Sequence, residues 1–176
     1  NPRYPWRSLG QYFDFLEKNG TAINLGTYVG TSSVREAVMG DATGHPTDSQ
    51  MRQMGALIDS AMRDGAFGVG TGLIYLPSAF FSTDELIALT KYATPYKGGY
   101  AAHIRNEGSG LLDAIRETIR IAAAAGTWAE IDVTPLVAGN GSVSFGITRA
   151  GTDTVALQFD SREAGATAPQ LVVTSR

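Results

Sequence analysis

Apolar positions recur at helical spacing in four stretches of this chain, and the gaps between them carry short apolar runs of strand character. Leu9, Tyr12, Phe13 and Leu16 lie three or four residues apart behind Ser8, and Gly20 stands where a helix would stop, so a helix is predicted over 8–19. The run Ala22-Ile-Asn-Leu-Gly26 predicts a strand within 21–29. Thr47 precedes Gln50 by three residues, a capping-box spacing, and Met51, Met54, Leu57, Ile58, Ala61 and Met62 then mark a buried stripe. Gly65 to Leu73 reads as a glycine-rich buried strand. Ser82 and Glu85 form a second capping box before Leu86, Ile87, Leu89, Tyr92 and Ala93. A strand ending at His103 follows. The clearest helix runs from Leu111 to Ala125, with Leu111, Leu112, Ile115, Ile119 and Ala122 on one side. Strands separated by helices predict a parallel sheet with helical crossovers, an α/β fold.

The pattern changes after Gly126. Residues 127–176 contain no lysine, and 142–148, 154–159 and 170–174 alternate with period two, which suits antiparallel strands with one buried face. Gly139-Asn-Gly141 is a turn signal between them. The predicted organisation is therefore a first domain over 1–126 and a second over 127–176, with almost no linker at 125–128.

Composition narrows the function classes. Apolar residues make up 43% and charged residues 18% of the 176, which fits a folded globular chain and not a disordered one. A net charge of -3 offers no electrostatic reason for nucleic acid or an anionic membrane as partner. No apolar run approaches the roughly 18 to 20 residues that span a bilayer; the longest candidate, Ile119 to Gly126, is an alanine-rich helix end. No basic-then-apolar leader opens the chain, and a start at Asn1 predicts further sequence upstream. Without cysteine there is neither disulfide nor thiolate ligand.

Candidate chemistry gathers around His103, one of only two histidines. It ends an apolar run just before the loop Asn106-Glu-Gly-Ser-Gly110, and in barrels of strand-helix units such strand ends hold metal ligands and catalytic groups. Two readings stand for it: a metal ligand, or a histidine satisfied by hydrogen bonds in the turn. Arg105 and Glu107 either orient a substrate carboxylate or support the histidine, or they form a solvated loop ion pair. Tyr75, just after the glycine-rich strand, lines the same cleft or packs on its rim. Gly68-Val-Gly-Thr-Gly72 lacks the lysine of a phosphate loop and the spacing of a dinucleotide fingerprint, so close backbone packing is its better explanation. His45, between Gly44 and Pro46, is expected in solvent. Asp84 and Glu85 lie in a helix first turn, where the macrodipole accounts for them. No catalytic triad order is available, and no residue is assigned a catalytic role. Trp128, Phe145 and Phe159 are expected in a core more than on a sugar platform.

Three motifs resemble one family. Gly30-Thr-Ser-Ser-Val-Arg-Glu-Ala-Val-Met-Gly40, Ala61-Met-Arg-Asp-Gly-Ala-Phe-Gly-Val-Gly-Thr-Gly-Leu-Ile-Tyr-Leu-Pro77 and Tyr100-Ala-Ala-His-Ile-Arg-Asn-Glu107 resemble, in order, the N-acyl-D-amino-acid deacylases (D-aminoacylases) of the amidohydrolase superfamily. The resemblance covers residues 1 to about 126. It implies part of a (β/α)8 metal-dependent hydrolase barrel with zinc at the C-terminal strand ends, and hydrolysis of an N-acyl-D-amino acid to a carboxylate and a free D-amino acid. It matches His103 to a zinc ligand and places Tyr75 and Arg105 at substrate-contacting strand ends. The family's first-strand His-x-His pair, its bridging cysteine, its next-strand histidine and its late catalytic aspartate have no counterpart in this chain.

Trp128-Ala-Glu-Ile-Asp-Val-Thr-Pro-Leu-Val137, Phe159-Asp-Ser-Arg-Glu-Ala-Gly165 and Ala168-Pro-Gln-Leu-Val-Val-Thr174 resemble the last third of secreted β-sandwich modules known for a DNRLRE motif, grouped with carbohydrate-binding domains. This implies a partial antiparallel β-sandwich, with polysaccharide as a possible partner. The deacylase-like part implies a cytoplasmic setting and the DNRLRE-like part an extracellular one. Three functions follow: a zinc-dependent hydrolase of non-peptide carbon-nitrogen bonds, inactive in this chain alone; a carbohydrate-binding or cell-surface module; or an inactive fusion of two domain fragments.

Overall fold

A computed structural model describes residues 4–131. They lie in a compact unit that runs to Ile131. Its frame is a four-stranded sheet: β1 (Val29–Gly30), β2 (Gly68–Gly72), β3 (Gly99–His103) and β4 (Ala129–Ile131). The strands lie side by side in chain order, and all three pairings are parallel. Five helices accompany them: α1 (Leu9–Asn19), α2 (Thr31–Met39), α3 (Asp48–Arg63), α4 (Thr83–Thr90) and α5 (Leu111–Ala125). β1 reaches β2 through α2 and α3, β2 reaches β3 through α4, and β3 reaches β4 through α5. The strand order never reverses, unlike the order of a doubly wound sheet.

Local chemistry explains where the helices begin. Thr47 accepts from the Gln50 backbone N–H while the Gln50 side chain accepts from the Thr47 N–H, so both halves of the predicted capping box form at α3. Ser82 and Glu85 do the same at α4, and Ser8 caps α1. At its other end α5 stops at Gly126, whose φ of 80° is a left-handed value that glycine takes without strain.

Side chains on the strands alternate between two environments. Val69, Thr71 and Leu73, with Tyr100, Ala102 and Ile104, are buried. Except for Thr71 they join one apolar cluster with Met54, Ile58 and Met62 of α3, Leu86 and Leu89 of α4, and Ile121 of α5. The alternate positions are Gly68, Gly70, Gly72, Gly99, Ala101 and His103, a floor of minimal side chains that ends in one imidazole. One of those glycines is obligatory and another is covered by a ring. Gly68 has φ 150°, and a Cβ there would lie 2.0 Å from the Gly99 carbonyl oxygen; a Cβ on Gly99 would strike the Trp128 ring at 2.3 Å.

Several sequence expectations change. The strand expected within 21–29 shrinks to Val29–Gly30. Ile23 and Leu25 are exposed and line a cleft with Phe13, Leu16 and Phe67, so the short apolar run is a loop. Helix α2 is absent from the periodicity reading because its first residues, Thr31, Ser32 and Ser33, look like a turn and Gly30 supplies no side-chain cap. The buried stripe of α5 is Ala114, Thr118, Ile121, Ala122 and Ala125. Leu112 is 65% exposed, because the small residues, not the largest apolar ones, allow the helix to sit close. β4 lies beyond the composition break at Gly126, so the parallel sheet continues past that break. The strands expected at 142–148, 154–159 and 170–174, the turn at 139–141, and Phe145 and Phe159 lie outside the described residues.

Candidate functional site at the end of β3

His103 is the last residue of β3, at the C-terminal edge of the sheet. Its carbonyl accepts from the Leu73 N–H at 2.9 Å, which ties the end of β3 to the exit of β2. Two residues beyond Leu73, Tyr75 turns its ring edge onto the His103 imidazole, with centroids 5.1 Å apart and planes at 64°. The structure therefore brings Tyr75 and His103, the two candidate strand-end residues, into ring contact. Both remain open to solvent: the His103 side chain is 36% exposed, and Tyr75 is exposed. The glycine floor makes this possible, since Gly72 lies directly under the Tyr75 ring and a Cβ there would meet it at 3.3 Å.

The charged residues sort differently from the pairing considered for Arg105 and Glu107. Glu107 places Oε1 3.0 Å from His103 Nε2, on one short strap after the strand. Arg105 turns instead to Glu117 on α5, twelve residues away, where Nε and Nη2 each donate to one carboxylate oxygen at 2.9 Å. Its Nη1 donates to the Ala79 carbonyl and Nη2 also donates to the Phe81 carbonyl, both at 3.0 Å. Thr83 Oγ1 donates to Glu117 at 2.8 Å. Burial opposes the charge on Glu117, yet hydrogen bonds from Arg105 and Thr83 and the nearby guanidinium outweigh it. Its carboxyl stays below the ordinary glutamate value. Glu117 was invisible from sequence, because no local spacing links a mid-helix glutamate to a strand-end arginine.

Other polar groups lie near the strand ends without joining this pair. Ser78, in a 3₁₀ turn over Ser78–Phe80, shares hydrogen bonds at 2.8 Å with Thr31 and with Ser32 at the start of α2. Arg35 is fully buried, its guanidinium over the Phe80 and Phe81 rings and its Nη2 donating to the Ala42 and Gly44 carbonyls. His45 is exposed as expected, and its Nδ1 lies 3.0 Å from Glu85 Oε1. Trp128 is 45% exposed, a lid over Gly99 more than a core residue.

A catalytic zinc takes about three protein ligands. Among the described residues no group of three or more His, Cys, Asp or Glu side chains converges. The whole chain has two histidines, and His45 is held at the start of α4 by Glu85. His103 with Glu107 does not make a zinc site. Chemically, the pair supplies one imidazole oriented by one carboxylate.

In sequence and in fold the chain is similar to one group of amidohydrolases, the D-aminoacylases. It is 34% identical over 149 residues to a D-aminoacylase of Alcaligenes xylosoxydans xylosoxydans, covering 83% of this chain and 30% of that protein. A crystal structure of D-aminoacylase, described as defining a subset of amidohydrolases, superposes with TM-score 0.68 at 35% identity over 70% of this chain and 26% of its own. An N-acyl-D-glutamate deacylase of Bordetella bronchiseptica, solved with zinc and a phosphonate inhibitor, gives TM-score 0.67 at 31% identity, covering 69% of this chain and 26% of its own. The chain thus spans less than a third of the length of these relatives. The model of carbohydrate-binding module family 96 matches residues 112–175. That match begins inside α5, so its residues 112–131 include the rest of α5 and β4. Among the described residues no helix is long and apolar enough to cross a membrane.

Proposed function

We propose that residues 4–131 are a segment of a (β/α)8 amidohydrolase barrel that hydrolyses the amide bond of N-acyl-D-amino acids. In this reading His103 is one ligand of a zinc ion and Tyr75 contacts the substrate. The observation that carries it is the position of His103: the last residue of a parallel strand, open to solvent, in a chain that superposes on D-aminoacylase with TM-score 0.68. The reaction breaks the acyl carbon-nitrogen bond with water, giving a carboxylic acid and a free D-amino acid. A bound metal would polarise the acyl carbonyl. Within this chain the contributions are a floor of glycines that lets the Tyr75 ring lie close to the sheet, an imidazole steadied by Glu107, and an aromatic wall from Tyr75. One histidine and one glutamate do not hold a catalytic zinc, so the chain alone is inactive in this reading.

The test is a chimera in which residues 4–131 replace the corresponding segment of the Alcaligenes D-aminoacylase. It should release D-methionine from N-acetyl-D-methionine, and His103→Ala should reduce that release to background. A well-folded chimera with no activity, or one indifferent to His103→Ala, would overturn the assignment. The isolated chain with added zinc should release none.

The match to carbohydrate-binding module family 96 favours a second function for the C-terminal part, a β-sandwich that takes polysaccharide. Retardation of the chain in gels containing soluble polysaccharides would support it, and free migration across a broad panel would count against it.

A further inference from the structure

We infer that Arg105 is a positioning residue for the His103–Tyr75 cleft and does not itself contact substrate: its guanidinium, locked to Glu117, holds the Tyr75 loop at a set distance from the end of β3. The inference rests on the reading of that cleft as the reaction centre. Its argument is geometric. Arg105 follows His103 by two residues, so its backbone belongs to the strap that leaves β3. Its Nη1 holds the Ala79 carbonyl, and the Ala79 N–H in turn donates to the Tyr75 carbonyl at 2.8 Å. Nη2 holds the Phe81 carbonyl at the far end of the same loop. One planar group therefore grips the loop that carries Tyr75 at two points.

Glu117 makes that grip rigid. It takes the guanidinium through both carboxylate oxygens, a fork-to-fork contact that fixes orientation as well as distance. Its own side chain is 15% exposed and is held by Thr83 at the start of α4. Two points of the loop, α4 and α5 thus converge on one cation. A lysine has the charge but not the planar fork, and cannot serve four acceptor atoms at these angles. Such partly buried, two-toothed pairs escape most of the solvent screening that empties exposed ion pairs of energy. With four of its five N–H donors spent on these acceptors, Arg105 acts on the cleft through Tyr75 and the strap.

The chain's two histidines make the test direct, since only two imidazole Cε1–H signals fall in the downfield proton NMR spectrum. His45→Gln assigns them. In the metal-free and substrate-free protein, the His103 ring should show a cross-relaxation peak to the Tyr75 ring, absent in Tyr75→Leu. Arg105→Lys and Glu117→Gln should each lose that peak while far-UV circular dichroism keeps its helical signal. Survival of the peak at full intensity in either variant would overturn the positioning role. Should Arg105→Lys lose helical signal, Glu117→Gln alone decides. The readout involves neither metal nor turnover, so a lost peak stands even if the chimera above is inactive. A retained peak overturns the inference even if the chimera works.

Discussion

The two sides of this sheet carry opposite kinds of residue within the same five-residue strands. On one side Val69, Tyr100 and Ala102 are buried in the apolar cluster that includes α3, α4 and α5. On the other, Gly68, Gly70, Gly72, Gly99 and Ala101 present almost no side chain, until His103 closes the row. In β3 the two jobs are interleaved residue by residue: Tyr100 stabilises, Ala101 leaves space, Ala102 stabilises, His103 offers chemistry. A parallel sheet carries its side chains alternately up and down, so stability and cleft can be altered almost separately. The glycine side is covered by rings from outside β2 and β3, Tyr28 against Gly70, Tyr75 against Gly72 and Trp128 against Gly99. Its geometry must be held from the loops, which is where Arg105 and Glu117 enter.

The sharpest way to break this contrast is to substitute neighbours in β3. Tyr100 is fully buried in the core, and its hydroxyl lies 3.1 Å from Thr71 Oγ1. Burial pushes its phenol pKa upward, against the Thr71 hydrogen bond. Tyr100→Ala removes a large buried ring and should cost about 3–5 kcal/mol in urea unfolding. Ala101→Ser, one residue along and facing the other way, should stay within about 0.5 kcal/mol. Comparable losses at both positions would mean that the open side is packed after all.

How much of this was legible beforehand depended on the range of the signal. Capping boxes at Thr47 and Ser82 are each written in one three-residue spacing, and both helices start where those residues say. The strand ending at His103 and the nearness of Tyr75 were also readable, because strand ends in a parallel sheet share one edge. The loop at Ile23 and Leu25 was not, since a three-residue alternation is too short to distinguish an edge strand from an exposed loop. Nor was the partner of Arg105. Sequence offered Glu107, two residues away; the fold chose Glu117, which only the return of α5 brings near. Contacts made by tertiary folding leave no periodic trace.

A middle-sized effect probes the link between the two sides. Glu117→Gln leaves shape almost unchanged but weakens two charge-assisted hydrogen bonds from Arg105, each worth about 1.5–3 kcal/mol when intact, so a total loss of roughly 2 kcal/mol is expected near neutral pH. The pH dependence has a definite sign. Hydrogen bonds and the Arg105 charge, outweighing burial, hold the Glu117 carboxyl below its ordinary value in the fold. Between the folded and unfolded values the unfolded chain binds more protons, so stability rises with pH there. The contribution is complete above the ordinary glutamate value and is lost as pH falls through the folded one. Urea midpoints of wild type and Glu117→Gln should therefore converge on acidification. A gap that stays constant down to the acid limit would show that the Glu117 charge contributes nothing.

The smallest effect tests which surface of α5 meets the sheet. Size and spacing favour Leu112 as a core residue, but it is 65% exposed, while Ile121 is fully buried. Along α5 the inward positions are Ala114, Thr118, Ala122 and Ala125 around that one isoleucine. Small side chains let the helix axis approach, and the larger leucine is turned away because the row that contains it points to solvent. Leu112→Gln should change the free energy of urea unfolding by no more than about 0.5 kcal/mol, against about 2–5 kcal/mol for Ile121→Ala. If Leu112→Gln cost as much as Ile121→Ala, α5 would have to be rotated on its axis. Glu117 would then turn with it and leave Arg105, so the lightest substitution also bears on the clamp that holds the cleft.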